Sequence, residues 1–192
     1  MASPETQYPG TTAFYNGWHG WTAWAVGPTE VEADDGSYAQ GNLNVGQKSR
    51  ALRGYNFGFA LTGATGINSI KMYMERKLNA SGPTGSMDYF VHFCSDASSN
   101  AQAAATKNAT NKASGDTWTT SDVVYEYDLA PDAMYSIAQV TNSNFGFIFD
   151  FYNTAGSPGT YMVDYVKITV DYAVAGAVPV MSHHYTKNIG AR

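Results

Sequence analysis

"SNFGFIFDF", Ser143 to Phe151, places Phe145, Phe147, Phe149 and Phe151 at alternate positions. Successive side chains of a strand point to opposite faces, so these rings share one face. A face that apolar requires a second layer to cover it. The same Asn-Phe-Gly-Phe tetrad stands earlier, in "YNFGFAL" from Tyr55 to Leu61. The continuations differ: "ALTGATG" turns at once, while "IFDFYN" runs on. An internal repeat would extend further. Each tetrad reads instead as the beginning of an apolar strand, with its Phe residues in the core. Gly58 and Gly146 leave room for a close neighbour or a bulge. Asn56 and Asn144 are expected to bond local backbone.

Period-2 alternation extends outward from this stretch. In "GINSIKMYMERK", Ile70, Met72 and Met74 oppose Lys71, Tyr73 and Glu75. In "MDYFVHF", Tyr89, Val91 and Phe93 oppose Asp88, Phe90 and His92. In "VDYVKITVDY", Val166, Ile168 and Val170 oppose Lys167, Thr169 and Asp171. Turn signals separate the runs: "DDG" from Asp34, "GATG" from Gly63, "ASGPTG" from Ala80 and "AGSPG" from Ala155. "PDAMYSIAQV" predicts a helical turn, and "AQAAATKNAT" a small-residue strand and loop. The expected fold is all-β, a single jelly-roll β-sandwich of two antiparallel sheets. A length of 192 residues suits one domain. Residues 1–17 read as an N-terminal arm, 18–174 as the sandwich and 175–192 as a C-terminal arm.

Charged residues make up 14% of the chain, against roughly 25% in an average soluble protein. Ser, Thr, Asn, Gln and Gly must supply the polar surface, a mix common in extracellular and virion β-proteins. The net charge is -5 and no Lys/Arg block occurs, so a nucleic-acid partner is not expected. Cys94 is the only cysteine and is expected in the core. "MASPETQYPGTTAFYNG" has neither a basic nor an apolar signal-peptide region. No apolar run reaches the ~20 residues of a membrane span. The expectation is a protein made in a host cytoplasm and assembled there into a virion, with no membrane partner.

Several segments, taken in order, make the chain similar to a known family. They are "ADDGSYAQGNL", "LRGYNFGFALTGATGINSIKMYMERK", Trp118, "APDAMYSIAQVTNSNFGFIFDF" and "YMVDYVKITVDY". Across residues 33–172 the chain resembles a jelly-roll domain of tailed-phage virion proteins, found in capsid decoration proteins, tail proteins and host-contact appendages. The resemblance implies a non-enzymatic virion structural protein, foremost a capsid decoration or cement protein. Its partners would be the major capsid protein and copies of itself, as in a trimer. A tail glycan- or receptor-binding module is the alternative, and a jelly-roll glycan-active enzyme comes third.

Jelly-roll carbohydrate-binding modules hold a structural calcium between an early loop and the final strand. By that likeness Asp34, Asp35 and Asp164 are candidate ligands, since Ca²⁺ takes hard oxygen donors. The plainer reading makes Asp34-Asp35-Gly36 a turn and bonds Asp164 to backbone or a Tyr. No other cofactor is expected. If the two ends dock on neighbouring subunits, the anchors are their apolar residues: Tyr8, Phe14 and Tyr15, and Val180, Met181 and Tyr185. Under the alternative, Trp18, Trp21 and Trp24 form a sugar platform, although such residues more often seal sandwich ends or interfaces. An enzyme would need convergent carboxylates, for which Glu75, Asp88 and Glu126 are available, or a dyad of Cys94 and His92. Adjacent His183 and His184 diverge and make no chelating pair.

Overall fold

The computed structural model describes residues 2–14, 22–79, 86–98, 117–128 and 135–175. One sheet contains β1 (Ala2–Gln7), β3 (Ala39–Leu43), β5 (Ala64–Leu78), β7 (Val123–Asp128) and β9 (Gly159–Val174). Its order is β1-β9-β5-β7, with β3 also paired to β9. The other contains β2 (Thr11–Phe14), β4 (Leu52–Tyr55), β6 (Ser86–Cys94) and β8 (Gly146–Asn153), in the order β2-β4-β8-β6. Every pairing within the sheets is antiparallel. This is the all-β jelly-roll sandwich that the alternation predicts. Among the described residues, no helix is long and apolar enough to cross a membrane.

The core lies between the sheets. Phe147, Phe149 and Phe151 of β8 meet Ile70, Met72 and Met74 of β5 and Val166, Ile168 and Val170 of β9, all of them buried. Each such side chain contributes about 1.5–3 kcal/mol by leaving water. Arg76 continues the inward row of β5, although it is a cation. Its guanidinium lies 3.5 Å from the Tyr125 ring centre and 4.8 Å from that of Trp118, and Nη1 donates to the Tyr127 hydroxyl at 3.2 Å.

The two Asn-Phe-Gly-Phe tetrads are neighbours. Asn56 N donates to Ser143 O at 2.7 Å, and Tyr55 pairs with Gly146. Phe57 stacks on Phe59 at 5.7 Å; Phe57 stands edge-on to Phe147 at 6.1 Å and Phe59 to Phe145 at 6.3 Å. The tetrads therefore form one interlocked cluster rather than two sites. The first does not begin a strand, however. Asn56 and Leu61 have φ of 61° and 43°, which takes residues 56–61 out of β geometry. Nor does Asn144 cap its own backbone with its side chain: Asn142 Oδ1 accepts from Asn144 N at 2.8 Å. The glycines serve different ends. A Cβ on Gly146 would lie 1.8 Å from Gly54 O. Gly58 faces open space but has φ +71°, where a side chain is strained.

The N-terminal segment departs from the sequence reading. Residues 2–14, expected in an arm, form β1 and β2, one in each sheet. Both are border strands, short and polar, and a border position accommodates Pro4. Their weak apolar signal follows from having only one ladder partner each. The helical turn appears as α1 (Ile137–Val140), closed by a capping box between Ser136 and Gln139. The stretch "AQAAATKNAT" and the C-terminal segment 176–192 lie outside the described residues.

Candidate functional site

β9 contains a slip in its alternation. Met74 pairs with Val166, but Arg76 pairs with Val163. Asp164 and Tyr165 therefore stand together opposite Glu75 in a β-bulge, a device that re-aims side chains. Both become buried, at 2% and 4% exposure, where plain alternation would bury only one. The short 3-10 turn Pro28–Val31 precedes the loop that delivers Asp34.

Among the described residues, Asp34, Glu75 and Asp164 form a group whose oxygens can all lie within 4.8 Å of one another. Asp164 Oδ2 accepts from Gly36 N at 3.3 Å. Its Oδ1 is buried with no hydrogen-bond partner among the described residues, a costly state for a carboxylate oxygen. Burial raises the pKa of Asp164 above the usual carboxylate range, against the lowering by the Gly36 and Asp35 amides. Burial also raises Glu75, helped by the negative charges of Asp122, Asp164 and Asp34. Two phenols close the site. Tyr8 and Tyr165 meet edge to face at 5.9 Å. Tyr165 is pushed up to about 12, by burial first and then by Glu75 and Asp34.

A bulge-directed, orphaned carboxylate oxygen beside two further carboxylates fits a hard divalent cation such as calcium. A bound cation would supply the missing partner for Asp164 Oδ1 and relieve the repulsion within the group. It would also join the 32–36 loop to the two longest strands, β5 and β9.

The structure thus brings two of the three sequence-named acids together and leaves the third aside. Asp35 Oδ1 accepts from Ser37 N at 2.8 Å in a turn, and Glu75 stands with Asp34 and Asp164 in its stead. Sequence reasoning put Glu75 on a solvent-facing row. The signal that could have found it is the spacing of Val163 and Val166, three residues where alternation requires two.

The remaining candidates are distributed elsewhere. Phe14 stacks on Trp24 at 5.6 Å, and Tyr8 packs on Tyr165, so both aromatics lie against their own domain. Trp24 is 7% exposed, donates Nε1–H to Arg50 O at 2.7 Å and stands edge-on to Phe151 at 5.0 Å. It seals the sandwich and offers no platform face. Tyr15, Trp18, Trp21, Val180, Met181 and Tyr185 lie outside the described residues. Glu126 is paired with Lys71 at 2.6 Å on the exposed sheet face. Asp88 belongs to β6, in the opposite sheet from Glu75 and Glu126. Cys94 is buried in a small cluster with Ala51, Phe90, Ala97 and Ile148, and the His92 ring lies 4.1 Å from that of Phe90.

No family model matches the chain, and no curated protein matches it. Among solved structures, it is similar to the CBM22-1 xylan-binding domain from Paenibacillus barcinonensis Xyn10C. Identity there is 11%, coverage 88% of this chain and 95% of that chain, and the TM-score 0.46. It is also similar to a family 11 carbohydrate-binding module from Clostridium thermocellum, with 9% identity, 91% of each chain covered and a TM-score of 0.40. Values of this size assign no residue and no ligand.

Proposed function

We propose that this chain is a non-catalytic carbohydrate-binding module, a β-sandwich tied together by calcium at Asp34, Glu75 and Asp164. The observation that carries the reading is the use made of those acids. They gather around one orphaned, buried oxygen of Asp164 at the junction of a loop and two strands, where a catalytic pair would face each other across an open cleft. With few charges, the surface presents mainly amides and hydroxyls, the groups that recognise sugars. The resemblance of its motifs to phage jelly-roll domains is what supports a virion setting for the module, as a tail or appendage part that meets the host.

A glycan array probed with the purified chain in calcium tests this. Retention of defined glycans without release of new reducing ends is expected. Absence of binding across the array, or turnover of a bound glycan, would overturn it. The cement reading now has less support, because β1 and β2 hold the N-terminal segment within its own domain. Co-sedimentation with phage heads that lack the protein would bring that reading back.

A further inference from the structure

A cleft of about 550 Å³ opens at the sandwich edge, where β3 meets the start of β9. Its volume lies in the range of small-molecule sites. Its walls are Thr22, Asn42, Asn44, Gln47, Pro158 and Thr160, with the backbone of Leu43 and Gly159 between them. None of these side chains is charged. Asn42 Oδ1 accepts from Thr160 Oγ1 at 2.7 Å, and Gln47 Oε1 accepts from Asn44 N at 2.8 Å. Each amide is thereby fixed by its oxygen, and among the described residues its nitrogen keeps its hydrogens for another partner.

The walls are held from beneath by one buried side chain, Asn153, at 0% exposure. Its Nδ2 donates to Leu43 O at 3.0 Å and to Ser157 O at 3.2 Å, and its Oδ1 accepts from Ala155 N at 2.9 Å. Its backbone pairs with the neighbouring turn through Gly46 N and Gln47 O, each at 2.9 Å. Asn153 thus joins the 44–47 turn to the 154–158 loop. Val45, at the tip of that turn, is 51% exposed, a high value for a large apolar side chain. Fixed amide donors beside an apolar tip are preorganised, which limits the ordering cost of binding.

We infer that this cleft binds a neutral saccharide, with the Asn42 and Gln47 amides donating to its hydroxyls. The inference rests on the carbohydrate-binding reading above and gives it a place. Neutrality follows from the lining: a uronic acid finds no cation there, an amino sugar no carboxylate, and the chain's net charge of -5 repels anions.

The ¹⁵N-labelled full chain, in calcium, is titrated with xylotetraose, cellotetraose, mannotetraose and, for contrast, tetragalacturonate. The side-chain amide signals of Asn42 and Gln47 should shift with at least one neutral sugar. The double variant Asn42→Ala/Gln47→Ala should lose about tenfold or more in affinity for that sugar, with terbium binding unchanged and a cooperative melt retained. If the wild type binds but the shifts lie elsewhere and the variant binds equally well, the cleft assignment is overturned while the carbohydrate reading stands. Tetragalacturonate binding as tight as that of the neutral sugars overturns the neutral class. If neither these sugars nor the array bind, the underlying reading fails, and the cleft with it.

Discussion

Asp150 sits at 1% exposure with no hydrogen-bond partner for either oxygen among the described residues. Burial pushes its pKa up to about 8, with Lys48 as the opposing charge. An unfolded Asp titrates near 3.9, so the unfolded chain gives up this proton first. The group therefore leaves the fold undisturbed below about pH 4 and weakens it progressively as pH rises towards 8. Asp150→Asn, which mimics the protonated acid, should remove that slope. Thermal melts should show it more stable than wild type at pH 8–9, by up to a few kcal/mol, and little changed at pH 4; a parallel wild-type and variant pH profile would sink the argument. The metal site has the opposite dependence. Protons compete with the cation at Glu75 and Asp164, whose raised pKa values bring that competition to a higher pH than for exposed acids. Calcium affinity should fall on mild acidification. Glu75→Gln and Asp164→Asn should each cut terbium luminescence, excited through Tyr165 and Tyr8, by at least about tenfold.

The two tetrad glycines distinguish packing from backbone conformation at the level of the strand. Gly146→Ala drives a methyl into Gly54 O and should cost about 3 kcal/mol or more in urea melts. Gly58→Ala meets no atom and should cost only about 1 kcal/mol, the strain of its positive φ. Equal losses would refute the distinction. The elements legible in the sequence were those with a regular apolar row: β5 and the end of β9 alternate because one side is core, and β8 was legible from its Phe row although its other face is buried too. β1 and β2 were not legible, since a border strand with one partner needs little apolar patterning. Trp24 was left between a sugar platform and a seal on the sandwich, because steps of three among Trp18, Trp21 and Trp24 fit no regular element. Its place is set by an isolated bridge to Gly41 and by the room that glycine leaves beside Phe151. Glu75 was missed as a companion of Asp34 and Asp164 because a neighbouring strand's bulge, rather than its own strand, decides what it faces.

Across the whole molecule, the proposed cation site and the N-terminal strands would act on the same sandwich. Calcium at a hundred times its dissociation constant should add about 2.7 kcal/mol, seen as a rise in melting temperature that a chelator reverses and that Asp164→Asn abolishes. Removing residues 1–14 strips a border strand from each sheet and takes Tyr8 from the metal site. The truncated chain should lose its cooperative melt; an unchanged melt would return this segment to the status of an arm. The ladder of β1 on β9 also has a mechanical meaning. Ala2 pairs with Ala173, at one extreme of the register that runs to Gln7 and Ile168. A pull between the two ends of the sandwich therefore loads that first rung alone, and the ladder opens like a zip, one pair at a time. Resistance to such a pull would come next from the junction just after the strand, where the Tyr8 ring packs edge to face on Tyr165.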